Sequence, residues 1–313
     1  MPIYLHLISL GVDYHFDVQT RAIDITQVDK QQRMVTKLNY TQNGMELYIL
    51  LQQSDIVIVT AGSTSSGCYV GADDCPPRLP ELDEAQNLDE NWSLWLELAN
   101  KNAHIGNPYN FCTRSRESML ESFTITTEDL EFFDQLSHMS SRGAAGNMIS
   151  LVKSRWKLNI CVPLQPVFTD QSSGQRVLWG YANSPLCEGN YVRKAMVDCT
   201  GSEILSELLT HLHIRSQQLI QRTVTIPRVM PRMTTHLLPH SPSDRPNITP
   251  RTVANIGIVG QFVDMPCYTS ADISYGVRSA RIAVSRLMGC SDDNNDVKRD
   301  WQMTLSNISK ILH

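Results

Sequence analysis

The stretch Asn255-Ile-Gly-Ile-Val-Gly-Gln-Phe-Val-Asp264, continued by Tyr275-Gly-Val-Arg-Ser-Ala280, decides the fold class. A short apolar run stops at Gly260, a loop carries Pro266, and a helical pattern follows through Ile282, Ala283 and Leu287. A strand that breaks at glycine and feeds a helix is the closing unit of a flavoprotein nucleotide domain. There the helix N-terminus, opened here by Ser274, turns its partial positive charge toward the flavin ring or its phosphates. Asp55-Ile-Val-Ile-Val-Thr-Ala-Gly-Ser63 is a second apolar run, breaking at Gly62. Glycine lets a backbone approach a ligand with no Cβ in the way. Gly62, Ser63, Gly260, Gln261 and Phe262 are therefore expected together at the carboxyl ends of adjacent strands, lining the edge of FAD. G-x-G-x-x-G, the fingerprint that cradles a pyrophosphate, occurs nowhere in the 313 residues. The expected fold is α/β, the rear part of an FAD-binding Rossmann-like domain.

The bulk composition excludes several classes. Hydrophobic residues make up 42% and charged residues 19% of the chain, which is globular rather than disordered. A net charge of −5 without a basic stripe argues against a nucleic-acid partner. The eight cysteines are scattered and contain no C-x-x-C pair, so neither a disulfide framework nor a zinc ribbon fits. No basic-then-apolar leader opens the chain, and no apolar run approaches about 18 residues. A cytoplasmic protein in a reducing compartment is expected, and the sequons at Asn39, Asn91, Asn247 and Asn307 are then chance.

Outward from the two strands, the pattern supplies further elements. Met1, Tyr4, Leu5, Leu7 and Ile8 follow helical spacing with no capping residue ahead, as in an element cut open, and Gly11 closes the run. Val12–Val18 alternates like a strand. Met34–Tyr40 and Met45–Leu51 are strand-like and joined through Asn43-Gly44, the dipeptide that tolerates positive φ in a tight hairpin. Residues 62–88 read as a long surface loop. Helices are expected at Trp92–Asn102, Glu128–Ser137 and Glu203–Leu212, the last behind Thr200 with Glu203 in capping-box position. Strands are expected near 147–152, 157–162 and 176–182, and the proline-rich segment 226–250 as extended chain or short turns. The domain expectation follows: a partial FAD-binding domain over 1–70, a substrate domain over 71–245, a closing segment of the FAD-binding domain over 246–290, and a C-terminal amphipathic helix over 291–313. In that helix Val297, Trp301, Leu305, Ile308 and Leu312 form one stripe, suited to docking on the protein body or to peripheral contact with a membrane.

Few residues announce chemistry by themselves. His236 and His240 have helical metal-ligand spacing, but Pro239 breaks the helix that would make it useful, and no metal is expected. His211 and His213 cannot share a helix face. Trp92, Trp95, Trp156 and Trp179 read as core or rim packing. No cysteine has a partner histidine in sequence, so a thiol nucleophile cannot be argued.

Several stretches together resemble the oleate hydratase family, also called myosin-cross-reactive antigens. They are Ser54–Ser63, Trp92–Ala99, Gly106-Asn-Pro-Tyr-Asn-Phe-Cys112, Glu121-Ser-Phe-Thr-Ile-Thr-Thr127 and Gly189-Asn-Tyr-Val-Arg-Lys194. Asp198-Cys-Thr-Gly-Ser-Glu-Ile204, Thr225-Ile-Pro-Arg-Val-Met-Pro231, Asp244-Arg-Pro246 and the 255–280 segment complete them in collinear order. The resemblance implies FAD as cofactor and a mixed α+β substrate domain interleaved with the FAD-binding one. It implies water addition across a cis double bond of a free unsaturated fatty acid, giving a hydroxy fatty acid. A homodimer is a further expectation. Chains of that family are nearly twice this long. Their glycine fingerprint, and the acidic residue and tyrosine assigned to water activation and alkene protonation, have no corresponding positions here, so the catalytic residues are unknown.

The chain also departs from the family's pattern. Where bacterial members read T-V-N-R-Q-P-H and hold the fatty-acid carboxylate through threonine, asparagine and histidine, it reads Cys161-Val-Pro-Leu-Gln-Pro-Val167. A buried carboxylate without donors is costly by several kcal/mol. Either the head group is held elsewhere, with Asn159, Cys161 and Gln165 as the substrate candidates, or this branch prefers another substrate; a core strand is the bland alternative. Two rival readings stand beside the hydratase: a truncated, non-catalytic homologue or gene fragment, and a flavin oxidoreductase of lipids on the same scaffold.

Overall fold

The computed structural model describes residues 2–29, 32–80, 88–139, 147–214, 217–266, 268–270 and 273–290. The expected C-terminal helix over 297–313 lies outside them. The chain runs α1 (Pro2–Ser9), β1 (Val18–Asp29), β2 (Gln32–Gln42), β3 (Met45–Leu50), β4 (Val57–Thr60), β5 (Tyr69–Val70), α2 (Glu90–Lys101), α3 (Tyr109–Cys112) and α4 (Ser115–Ser118). It continues through β6 (Leu120–Thr127), α5 (Leu130–Met139), β7 (Asn147–Ser150), β8 (Leu158–Val162), β9 (Arg176–Ala182), α6 (Gly201–His211), α7 (Gln217–Gln221), β10 (Thr223–Met230), β11 (Ile256–Val259) and α8 (Ser274–Leu287). These elements form two compact units, each assembled from separate stretches of chain.

The first unit holds Met1–Gly62, Glu90–Pro108 and the described residues from His240 onward. Its antiparallel sheet has the order β1-β2-β3, turned at Asn43 and Gly44, which both take positive φ as the hairpin requires. Its second sheet is the parallel pair β11-β4. The buried amide of Asn255 ties the two sheets, accepting from Val35 N at 2.8 Å and donating to Val35 O at 3.1 Å and Asp55 O at 3.0 Å. Helix α8 closes on β11 where Gly257 has no side chain; a Cβ there would stand 3.1 Å from both Ala283 and Leu287. The expected strand over Val12–Val18 does not form before Val18. Its aromatic residues pack on α1 instead, with the Tyr4 and Tyr14 rings 4.8 Å apart and those of Tyr14 and Phe16 5.9 Å apart.

The second unit holds Ser63–Asp89 and Tyr109–Pro239, built on a sheet of order β5-β10-β6-β9-β8-β7. Phe123, Ile125, Leu158, Ile160, Val162, Leu178 and Ala182 on one face meet Ile204, Leu205 and Leu208 of α6 in the core. Thr200 and Glu203 form the expected capping box at the start of α6. The proline-rich segment is more regular than expected, since β10 runs through Pro227. The Pro227 carbonyl accepts from Gly71 N, so this residue turns away from β6 toward the short β5, and its missing N–H removes no bond to β6. The expected 62–88 loop likewise contributes β5. Overall the protein is a mixed α/β structure.

Candidate functional site

The parallel register sets Thr60 beside Val259, and Ala61 N donates to Val259 O at 3.2 Å. Gly62 and Gly260 thus leave neighbouring strands at the same end, with φ of +64° and +112°. The space a Cβ at Gly62 would take is filled from within: it would stand 2.9 Å from the Phe262 ring and 3.0 Å from Trp92. Phe262, Trp92 and Trp95 form a buried cluster, Trp92 meeting Phe262 edge-on at 5.0 Å. Trp95 Nε1 donates to Ile105 O at 2.7 Å, whereas the buried Trp92 Nε1 has no acceptor among the described residues. Gly260 N donates to Ser279 Oγ at 3.0 Å, which fixes this end of β11 to α8. Ser274 is the first residue of α8, and Ser63, the first residue of the second unit, accepts at Oγ from Ser66 N.

Arg245 holds the loop that carries Gln261 and Phe262, a role that sequence reasoning did not assign. Its Nη1 donates to Gln261 O at 2.7 Å and Val263 O at 3.3 Å, and its Nε to His240 Nε2 at 2.7 Å. Tyr275 Oη donates to Val263 O at 2.7 Å from α8. Burial draws the Arg245 pKa down and pushes that of Tyr275 up. The family segment Asp244-Arg-Pro246 was the only signal for this arginine.

In the second unit Asn159 and Cys161 alternate with the core residues of β8 and so face away from the core, beside Trp179 and Tyr181 of β9. Asn159 Oδ1 accepts from Ser150 Oγ at 2.6 Å, and its Nδ2 donates to Lys157 O. Gln165 caps the start of β9: its Nε2 donates to Val177 O at 2.8 Å, and its Oε1 accepts from Val177 N and from Gln171 Nε2. Burial pushes the Cys161 thiol up, away from the thiolate. The polar atoms of Asn159 and Gln165 are thus engaged within the protein.

Two buried glutamates, neither legible in sequence, stand in opposite situations. Glu207 of α6 accepts from the backbone N–H groups of Asn190, Tyr191 and Val192 at 2.7–2.9 Å, and His211 Nε2 lies 3.2 Å away. Glu121 of β6 is buried with no partner for either oxygen among the described residues. Burial and the nearby Asp198 push its pKa well above the usual carboxylate range. Cys199 is pushed up to about 12 by burial, reinforced by Glu203 and Glu121. Among the described residues no cluster of three or more His, Cys, Asp or Glu could hold a metal.

Residues 1–285 match the sequence profile of the MCRA family. The chain belongs to the MCRA family. It is similar to an oleate hydratase of Streptococcus pyogenes serotype M49 (strain NZ131), 29% identical over 299 residues that cover 90% of this chain and 49% of that protein. It is also similar to a linoleate hydratase of Lactiplantibacillus plantarum, 25% identical over 273 residues that cover 81% of this chain and 47% of that protein. The chain therefore spans about half the length of the curated relatives it matches. Every candidate residue described above lies inside the range matched to the MCRA family. No described helix is long and apolar enough to cross a membrane.

Proposed function

We propose that this MCRA chain supplies one wall of an FAD site and the fatty-acid-binding part of a hydratase. The reaction is addition of water to a cis double bond of a free unsaturated fatty acid. The observation that carries the reading is the family match through residues 1–285, with hydratases as relatives. On the first unit, the side-by-side exits of β4 and β11 suit a flavin. Gly260 presents backbone without a side chain, and the unpartnered Trp92 Nε1 is a buried donor suited to an acceptor. Gly62 fits less directly, because its missing Cβ already makes room for Phe262 and Trp92. Gln261 and Phe262, held by Arg245, with Ser63 and Ser274, complete the proposed cofactor residues. FAD, when bound, would supply a fixed electrostatic environment rather than electron transfer, since hydration has no net redox change. The parts of the chain would hold the cofactor edge and exclude water through the aromatic cluster.

On the second unit the outer face of β8 and β9, with Asn159, Cys161 and Gln165, is the proposed fatty-acid surface. A second, non-catalytic reading is favoured by one observation: the Asn159 and Gln165 amides are engaged within the protein. A homodimer and peripheral membrane contact belong to the same proposal. A chimera separates the readings. The matched part of the Streptococcus pyogenes relative is replaced by this chain, and the product is assayed for flavin absorbance and for ¹⁸O from water in hydroxy fatty acid. The hydratase reading expects a yellow chimera that incorporates ¹⁸O. A yellow but inactive chimera favours the non-catalytic reading, and a colourless, folded one defeats the cofactor assignment.

A further inference from the structure

The six-stranded sheet of the second unit has its core on one face, and the composition of the other face points to a ligand. The register places Ile226, Thr124, Trp179, Cys161 and Met148 in one outward row across β10, β6, β9, β8 and β7. Four interstrand steps make that row about 19 Å long. Ile226, Trp179 and Met148 are 43%, 40% and 48% exposed. The neighbouring row runs from Arg228 through Ser122 and Tyr181 to Asn159. A solvated sheet face ordinarily turns polar and charged side chains outward. Here Arg228 is the one charged residue at an outward position of the six strands, and no carboxylate stands among those positions.

The Arg228 guanidinium has no hydrogen-bond or ion-pair partner among the described residues. It stays charged at any working pH and presents paired N–H donors that match a carboxylate. An occupant suited to this face has a long apolar body and one anionic group, and a free fatty acid has both. We propose that Arg228 holds the fatty-acid carboxylate, with the acyl chain running from it along the row from Ile226 to Met148. Two residues of β10, about 7 Å, separate Arg228 from the start of that row. The opposite sense would set the carboxylate at the β7–β8 end, where Met148 and Cys161 are neutral and the Asn159 and Gln165 amides are already engaged. The connection from β8 to β9, at the strand ends away from Arg228, exposes Leu164 and Phe168 and suits the methyl end of the chain. This inference rests on the fatty-acid reading of the sheet face and adds the group that selects the free acid and sets its direction.

The test is tryptophan quenching in the intact 313-residue chain by dibrominated stearic acid and by its methyl ester, both below their aggregation concentrations. Quenching by the acid is expected in the parent and should be largely lost in Trp179→Phe, which locates the acyl chain on this face. Arg228→Leu should weaken binding of the acid about tenfold while leaving that of the ester within about twofold, with the unfolding midpoint unchanged. Should Arg228→Leu fail to fold, Arg228→Gln takes its place, with the same outcome expected. Binding of the acid by the folded variant as tightly as by the parent overturns the assignment of Arg228 and leaves the fatty-acid reading of the face standing. Equal affinity of the parent for acid and ester also overturns it, since no cation then reads the carboxylate. Absence of quenching in the parent, or quenching undiminished in Trp179→Phe, overturns the fatty-acid reading of the face and this inference together.

Discussion

Glu121 lies in β6 with both carboxyl oxygens out of reach of any donor among the described residues, and Asp198 adds a like charge nearby. A carboxyl raised in the folded state stays protonated there while the unfolded chain ionises above its ordinary value of 4.5. The folded state then binds the extra proton, so its stability is fully present below that value and is lost as pH rises toward the raised one. The loss is about 1.4 kcal/mol per pH unit across that interval. Glu121→Gln should remove this slope, and urea unfolding at pH 5 and pH 8 checks it: the variant's advantage must be larger at pH 8. An equal difference at both values would mean that Glu121 is ionised in the folded protein. Gly62 makes a second test at the same scale. Its φ of +64° and the 2.9 Å approach to Phe262 leave no room for a branched side chain. Gly62→Val should cost about 1–3 kcal/mol or more in thermal or urea unfolding.

At the scale of elements, α6 depends on its first turn. Thr200 Oγ1 accepts from Glu203 N, and Glu203 Oε2 accepts from Thr200 N at 3.0 Å. Thr200→Ala should therefore lower stability by about 1 kcal/mol, measured by chemical unfolding of the intact chain. This capping box, the Asn43-Gly44 hairpin and the strands β4 and β11 were all legible, because each rests on local chemistry at fixed spacing. The interior strands β6 and β10 of the six-stranded sheet were not. Glu121, Thr127, Thr223 and Thr225 occupy buried positions on them and hide the alternation, and Pro227 argues against a strand until β5 is known to be short. Val12–Val18 misled in the other direction, since alternation shows which side chains share a face and not whether a partner strand exists. At the candidate site the glycine exits were legible from the strand endings. The orphaned Trp92 N–H depends on packing against Phe262, far along the chain, whereas the bonds of Arg245, Asn159 and Gln165 depend on how local turns fold back, which side-chain spacing alone does not fix.

At the scale of the whole molecule, the chain carries two side-by-side glycine exits, and G-x-G-x-x-G does not occur in its sequence. Cofactor binding by this chain alone would order an open half-site with few charge-assisted bonds in return. The isolated chain should neither retain FAD through gel filtration nor form hydroxy fatty acid from oleate, as read by absorbance and by mass spectrometry of the products. A yellow, active preparation would show that the chain holds the chemistry by itself. The central claim, that the ends of β4 and β11 form one wall of the flavin site, is tested most directly by amide exchange on the flavin-binding chimera. The flavin-loaded and flavin-stripped forms are compared. The account predicts that loading slows exchange in peptides covering Thr60–Ser63 and Val259–Phe262. Unchanged exchange in both peptides, with protection confined to other parts of the chimera, would contradict it.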